Sequence, residues 1–302
     1  MPQPDYLKKG DKIAIVSTAR KISVAEIQLA INLAESWGFQ IQLGNSIGSS
    51  FHQFAGNDNL RLNDFQTALD DDSVKAIWCA RGGYGTVKIV DEIDFRKFKK
   101  HPKWICGFSD VTVLHSHIQA LFNIPTIHSF MPMNVNGSDL MLMNAADSLR
   151  KCLVGEKNVF TFSNHALNRI GKTKSEMVGG NLSILYSLAA SQSDLNTAGK
   201  ILLLEDLDEY LYHIDRMMMQ LKRSGKLENL AALAIGGMTE MKDNLIPFGK
   251  SVEEIIFEHV AEYNYPVCFN FPIGHQKDNR AVKLGMEATL EVTNEQASFK
   301  QN

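Results

Sequence analysis

The first third of the chain alternates short apolar runs with helical patterns, and this alternation constrains the fold more than any other feature. Lys12-Ile13-Ala14-Ile15-Val16-Ser17 reads as a strand ending in small polar residues. Ser23 then caps a helical pattern carried by Ile27, Ala30, Ile31 and Ala34, which stops before Gly38. Phe39 to Leu43 reads as a second strand, Asp58 to Leu69 as a helix, Val74 to Ala80 as a third strand and Trp104 to Phe108 as a fourth. Apolar strands separated by helices imply a parallel sheet covered on both faces. In such sheets functional groups gather at the carboxyl ends of the strands, where Ser17, Arg81 and Ser109 fall.

With 302 residues the chain exceeds the size at which one core stops growing, so two domains are expected. Residues 136–172 are irregular, with a short helical stretch near Leu140 to Cys152 and polar turns around Gly155 and Asn164. They divide a domain at 1–135 from one at 173–302 as an interdomain crossover. In the second half Met177-Val178-Gly179-Gly180-Asn181-Leu182 leads a helix and Ile201 to Leu204 forms a strand. A helix covers Ile214 to Arg223, Leu230 to Ile235 is an apolar run, and Ala288 to Val292 is a closing strand.

The charge balance, 31 basic against 34 acidic residues, argues against a nucleic-acid partner. The basic patch Arg96-Lys97-Phe98-Lys99-Lys100 reads as the solvated end of an amphipathic helix. Cys79, Cys106, Cys152 and Cys268 lack metal-ligand or redox spacing and read as buried thiols of a reducing compartment. No apolar run approaches membrane-spanning length, and Met1 to Tyr6 lacks the segments of a signal peptide. The expectation is a cytoplasmic protein with no membrane, metal or organic cofactor partner.

Three features carry chemistry. In Trp104-Ile105-Cys106-Gly107-Phe108-Ser109-Asp110-Val111-Thr112 a strand runs through glycine into a serine at the start of a helix. Unpaired helix N–H groups there favour a developing anion, so Ser109 suits a nucleophile and Asp110 offers the adjoining N–H; alone, Ser109 would equally serve as a helix cap. Arg81-Gly82-Gly83-Tyr84-Gly85 follows the third strand and lets backbone N–H groups approach a ligand, as an oxyanion contact or phosphate cradle; without a ligand it is a tight turn. Finally, Glu205 opens the cluster Glu205-Asp206-Leu207-Asp208-Glu209 after an apolar strand, and His275 lies in the loop Phe271-Pro272-Ile273-Gly274-His275-Gln276. Ser, Glu, His is the chain order of α/β hydrolases, in which the carboxylate orients the imidazole. Glu209 is the competing acid. His115 and His117, on the helix after Ser109, read as packing or surface residues.

Together, Arg81 to Gly85, Gly107 to Thr112, Gly179-Gly180-Asn181-Leu182, Leu204-Glu205-Asp206 with Ile214-Asp215-Arg216-Met217, and Gly274-His275 resemble the L,D-carboxypeptidases, or muramoyltetrapeptide carboxypeptidases, a serine peptidase family. The resemblance spans nearly the whole chain. It implies a flavodoxin-like N-terminal parallel-sheet domain, a smaller β-rich C-terminal domain, and a homodimer. It further implies a Ser109, His275, Glu205 triad with the oxyanion held by the N–H groups of Gly83 and Asp110. The implied substrate is a small peptide, the cytoplasmic murein tetrapeptide, cut before its terminal D-alanine during cell-wall recycling. A carboxypeptidase must recognise a free carboxylate, and Arg81 is the residue proposed to bind it. Family members often carry Gly-Pro-Met after the Thr-His pair, whereas Thr126-Ile127-His128 here continues as Ser129-Phe130-Met131-Pro132. The family includes immunity enzymes that degrade microcin C, so hydrolysis of a peptidyl-nucleotide antibiotic is the alternative activity, and a non-catalytic muropeptide-binding protein the alternative class. The immunity branch tends to carry extra sequence in its second domain, which favours the recycling branch for this short chain.

Overall fold

The computed structural model describes residues 3–137 and 140–302. Its first sheet holds β1 (Lys12–Val16), β2 (Gln40–Leu43), β3 (Val74–Cys79), β4 (Trp104–Gly107) and β5 (Thr126–His128) as parallel neighbours in the order 2-1-3-4-5. That is the flavodoxin-like order, whose switch point lies between β1 and β3. Helices α1 (Val24–Ser36) and α2 (Asp58–Asp70) connect the early strands. A capping box starts α1: Ser23 Oγ accepts from the Glu26 N–H, and the Glu26 carboxylate accepts from the Ser23 N–H at 2.8 Å. The α1 face carrying Ile27, Ala30, Ile31 and Ala34 is the buried one.

The second sheet is mixed, and it continues the numbering with β6 (Asn158–Ser163), β7 (Gly171–Asn181), β8 (Ile201–Leu207), β9 (Ala232–Thr239) and β10 (Val267–Cys268). After β11 (Val282–Leu284), β12 (Met286–Val292) and β13 (Gln296–Gln301) close the chain. The order is 10-9-8-7-12-13-6, parallel from β10 to β7 and antiparallel from there to β6. Helices α3 (Thr112–Phe122), α4 (Leu140–Val154), α5 (Leu182–Ser187), α6 (Leu211–Arg223) and α7 (Val252–Val260) complete the elements. No described helix is long and apolar enough to cross a membrane.

One connection positions the site. β10 belongs to the second sheet, but β11 leaves it and pairs antiparallel with β5, Val282 opposite His128. The loop carrying His275 therefore hangs between the two sheets and enters the first at the carboxyl end of its strands, the end that carries Ser109.

Two local expectations change. The stretch 136–172 supplies more than a crossover, because Ala145, Ala146, Leu149, Cys152 and Leu153 of α4 pack into the first core and β6 forms the outer strand of the second sheet. The basic patch ends no helix. Residues 96–100 form turns in which Arg96 is held by the Asp94 carboxylate and Lys97 pairs with Asp72 at 3.0 Å. All four cysteines are buried and free.

Candidate active site

The turn after β4 is conformationally unusual. Ser109 has φ +60, a left-handed backbone that costs a non-glycine residue ~1–2 kcal/mol and survives only where the surroundings hold it. A single 3₁₀ turn, Ser109–Val111, then leads into α3. The first glycine of the loop after β3 lies against this serine: a Cβ on Gly82 would stand 3.1 Å from Ser109 Oγ and 3.3 Å from Met131 Cε. Glycine thus allows the loop to reach the serine. Asp110 is buried, with Oδ2 accepting the Thr86 N–H at 2.9 Å. Burial raises its pKa, opposed by the Thr86 bonds and the charge of Arg61.

Glu205 reaches the site from β8, which runs beyond Leu204 to Leu207. Its pairing with β9 shifts register between Leu204 and Asp206, a bulge of the kind that re-aims a side chain. Fully buried, Glu205 accepts from His275 through Oε2 twice, from ring Nδ1 at 2.7 Å and from the backbone N–H at 3.2 Å. A carboxylate at Nδ1 fixes the proton there and leaves Nε2 as the base. Gly274 makes room: at φ +97 it lies so close that a Cβ would stand 2.7 Å from Glu205 Oε2. Its N–H donates to Asn279 at 2.8 Å, and Thr239 Oγ1 donates to the His275 carbonyl at 2.9 Å, so the loop is tied on both sides. Burial works against a charged ring, but the hydrogen bond and charge of Glu205, with Asp206 and Glu240, outweigh it and hold the His275 pKa above its ordinary value.

The ring of Phe108, the residue before Ser109, lies 4.7 Å from the His275 ring. The hydrogen bond of the His275 ring is the one to Glu205, and none joins it to Ser109 Oγ among the described residues. Such contacts commonly tighten only with substrate bound. A cleft of about 630 Å³ opens beside His275, lined among others by Phe108, Phe130, Asn134, Asn136, Lys277 and Asn279.

The other candidates lie as follows. Glu209 is 2.6 Å from His213 Nδ1, not beside His275. Arg81 donates to the Lys21 carbonyl at 3.2 Å and lines a groove with Ser23 and Glu26, while Arg20 packs over Gly83, where a Cβ would stand 2.6 Å from Arg20 Cδ. His115 and His117 are buried: His115 Nε2 meets the Gly107 carbonyl at 2.9 Å, and burial lowers its pKa to about 4. His117 Nδ1 meets Ser193 Oγ at 2.9 Å.

Sequence reasoning passes over two supports. Asp206 is buried beside Glu205 and held by Asn181 Nδ2 at 2.9 Å and the Ser183 N–H at 2.8 Å; burial and the Glu205 charge push its pKa up to about 7. Thr112 Oγ1 accepts the Asn181 N–H at 3.1 Å, tying the start of α3 to the second sheet, and the absent Cβ of Gly180 permits that approach. The run Gly179-Gly180-Asn181 was the available signal.

Comparison with known proteins agrees with this architecture. Residues 13–129 match the LD-carboxypeptidase N-terminal domain, and residues 174–290 the LD-carboxypeptidase C-terminal domain. The chain is 33% identical over 294 residues to a probable murein peptide carboxypeptidase of Bacillus subtilis, covering 95% of this chain and 91% of that protein. It is 28% identical to the murein tetrapeptide carboxypeptidase of Pseudomonas aeruginosa, covering 93% of each. Among solved structures, the muramoyltetrapeptide carboxypeptidase of Oxalobacter formigenes superposes with a TM-score of 0.86 at 24% identity, over 96% of this chain and 98% of that one. The microcin C7 self immunity protein MccF superposes at 0.87 with 18% identity, over 99% and 98%. Likeness at those identities shows the shared fold. The chain belongs to the LD-carboxypeptidase family.

Proposed function

We propose that this member of the LD-carboxypeptidase family is a serine-type L,D-carboxypeptidase that releases the terminal D-alanine from murein tetrapeptides in the cytoplasm, as part of cell-wall recycling. The observation that carries the reading is the buried Glu205 carboxylate 2.7 Å from His275 Nδ1, brought from the second sheet to the strand ends where Ser109 is held at φ +60.

In this reading His275 Nε2 takes the Ser109 hydroxyl proton as Oγ attacks the carbonyl carbon of the third peptide residue. The N–H groups of Gly83 and Asp110 receive the oxyanion, worth about 10²–10³ in turnover per donor elsewhere. Glu205 stabilises the imidazolium, which passes its proton to the departing alanine nitrogen as the C–N bond breaks. Water then attacks the acyl-enzyme, giving its proton to His275, and frees the shortened peptide and Ser109. The leaving residue's carboxylate meets an arginine at the glycine loop, Arg81 in the first instance. Four buried free thiols suit a reducing compartment, and the active form is a homodimer.

The test is mass spectrometry of products from two substrates, a murein tetrapeptide and an aminoacyl sulfamoyl nucleoside. Loss of one alanine from the first supports the reading. Cleavage of the second alone moves the chain to the antibiotic-hydrolase alternative, and binding without cleavage of either makes it a sensor.

A further inference from the structure

We propose that Arg61 and the carboxylate of Asp110 are positioning residues, a two-sided clamp that fixes the glycine loop relative to the nucleophile. The inference rests on the serine-peptidase reading and adds to it what holds the two oxyanion donors in register.

Arg61 lies on the inner face of α2, with no exposure, at a position where the neighbouring turns bury Phe65, Ala68 and Leu69. An apolar residue would fill such a place at lower cost than a buried guanidinium. Nη1 donates to two backbone carbonyls, that of Gly85 at 2.9 Å and that of Thr18 after β1, while Nη2 pairs with Asp58. Asp58 also holds Lys88 at 2.9 Å, and the Phe54 ring covers the guanidinium at 5.1 Å. Gly85, the last residue of the loop, has φ +146, and a Cβ there would stand 2.7 Å from Arg61 Nη1.

The next residue is gripped from the opposite side. Thr86 donates its N–H to Asp110 Oδ2 at 2.9 Å, and its hydroxyl lies 2.8 Å from that of Thr18. Asp110 follows Ser109 directly, so its side chain grips the loop of Gly83 while its own N–H stands beside the nucleophile. Arg61 Nε and Asp110 Oδ1 are both buried without a hydrogen-bond partner among the described residues. Leaving such atoms unpaired costs stability, so these groups are retained for what their bonded atoms hold.

Because the clamp sets the distance between the two donors, loosening it weakens the transition state and spares ground-state binding. The measurement is kcat and KM on a murein tetrapeptide, with the affinity of a tripeptide aldehyde whose carbonyl adds the serine hydroxyl to give a hemiacetal. Arg61→Lys should lower kcat ~10- to 100-fold, a part of what losing a donor costs, with KM within about threefold. The aldehyde affinity should fall in parallel. Asp110→Asn keeps an oxygen for the Thr86 N–H and should retain clearly more kcat than Asp110→Ala, which should fall as Arg61→Lys does. If Arg61→Lys fails to fold, the Asp110 pair decides. A folded Arg61→Lys enzyme with wild-type kcat and aldehyde affinity, or equal activities of Asp110→Asn and Asp110→Ala, overturns the clamp while leaving the peptidase intact. A wild-type protein inert to the tetrapeptide overturns the peptidase reading and the clamp with it.

Discussion

Glu205→Gln separates the two jobs proposed for the carboxylate, supplying charge and choosing the imidazole tautomer. Oε2 accepts both the ring Nδ1–H and the backbone N–H of His275, whereas buried Oε1 has no partner among the described residues. A glutamine that turned its NH₂ toward the ring would set a donor against the His275 N–H. The amide oxygen is therefore expected to occupy the Oε2 place, keeping Nδ1 protonated and Nε2 free. What is lost is the charge on a charge-assisted hydrogen bond, about 1.5–3 kcal/mol. At 1.4 kcal/mol per tenfold, kcat should fall about 10- to 150-fold with KM little changed. This falls short of the ~10⁴ lost where the corresponding Asp→Asn change in another triad installs the wrong tautomer. The pH profile gives an independent reading. As the proposed base, His275 must be neutral to act, and its pKa is held above the ordinary value, so wild-type kcat/KM should fall on the acid side with a midpoint above ~6.5. Removing the Glu205 charge leaves burial opposed by less, and the midpoint should move down. Steady-state kinetics from pH 5 to 9 on both enzymes checks this. An unchanged kcat and acid limb removes Glu205 from its role, and a 10⁴-fold loss refutes the argument for the retained tautomer.

Ser109→Gly removes the proposed nucleophile and relieves φ +60, so turnover should drop by several orders of magnitude while the melting temperature holds or rises; a clear fall in melting temperature contradicts the strained turn. Gly274→Ala places a Cβ 2.7 Å from Glu205 Oε2 at φ +97, and should lower kcat more than KM, with circular dichroism confirming the fold; wild-type kcat counts against the spacing argument. Comparing free-acid with amidated tetrapeptide on Arg81→Lys and Arg20→Lys identifies the carboxylate ligand, since the responsible arginine should lose the preference for the acid. Unchanged preference in Arg81→Lys takes Arg81 out of that role, leaving it to brace the Lys21 carbonyl.

Sequence patterning reads the central strands of the first sheet well because they are buried on both faces and therefore largely apolar, as in Ile13 to Val16 and Trp104 to Cys106. The antiparallel half of the second sheet is nearly silent. The early part of β7 carries Lys172, Lys174 and Glu176, paired in register with Glu291, Thr289 and Glu287 of β12, and its turn-like Gly179 is a strand residue whose Cβ would collide with the Leu203 carbonyl. In β13 a buried Gln301 bonds the backbone of Lys283, so a polar residue stands where the pattern demands an apolar one. The site divides similarly. The sequence points to Ser109, Glu205 and His275 through strand ends and a Pro-Gly loop. It does not reveal that Gly274 exists to admit a carboxylate, or that Arg61, at helical spacing from Phe65 and Ala68, grips the Gly85 carbonyl. The bonds of Glu205 to His275 and of Arg61 to Gly85 join residues 70 and 24 positions apart, and only the folded chain brings them together.

The most direct test is rapid-quench mass spectrometry of the intact protein mixed with a murein tetrapeptide. The account predicts a burst of free D-alanine matched by a transient gain on the protein equal to the acylated tripeptide, mapped to the peptide containing Ser109 and absent from Ser109→Ala. Alanine release by Ser109→Ala at the wild-type rate, or an intact tetrapeptide after prolonged incubation with the wild type, contradicts it.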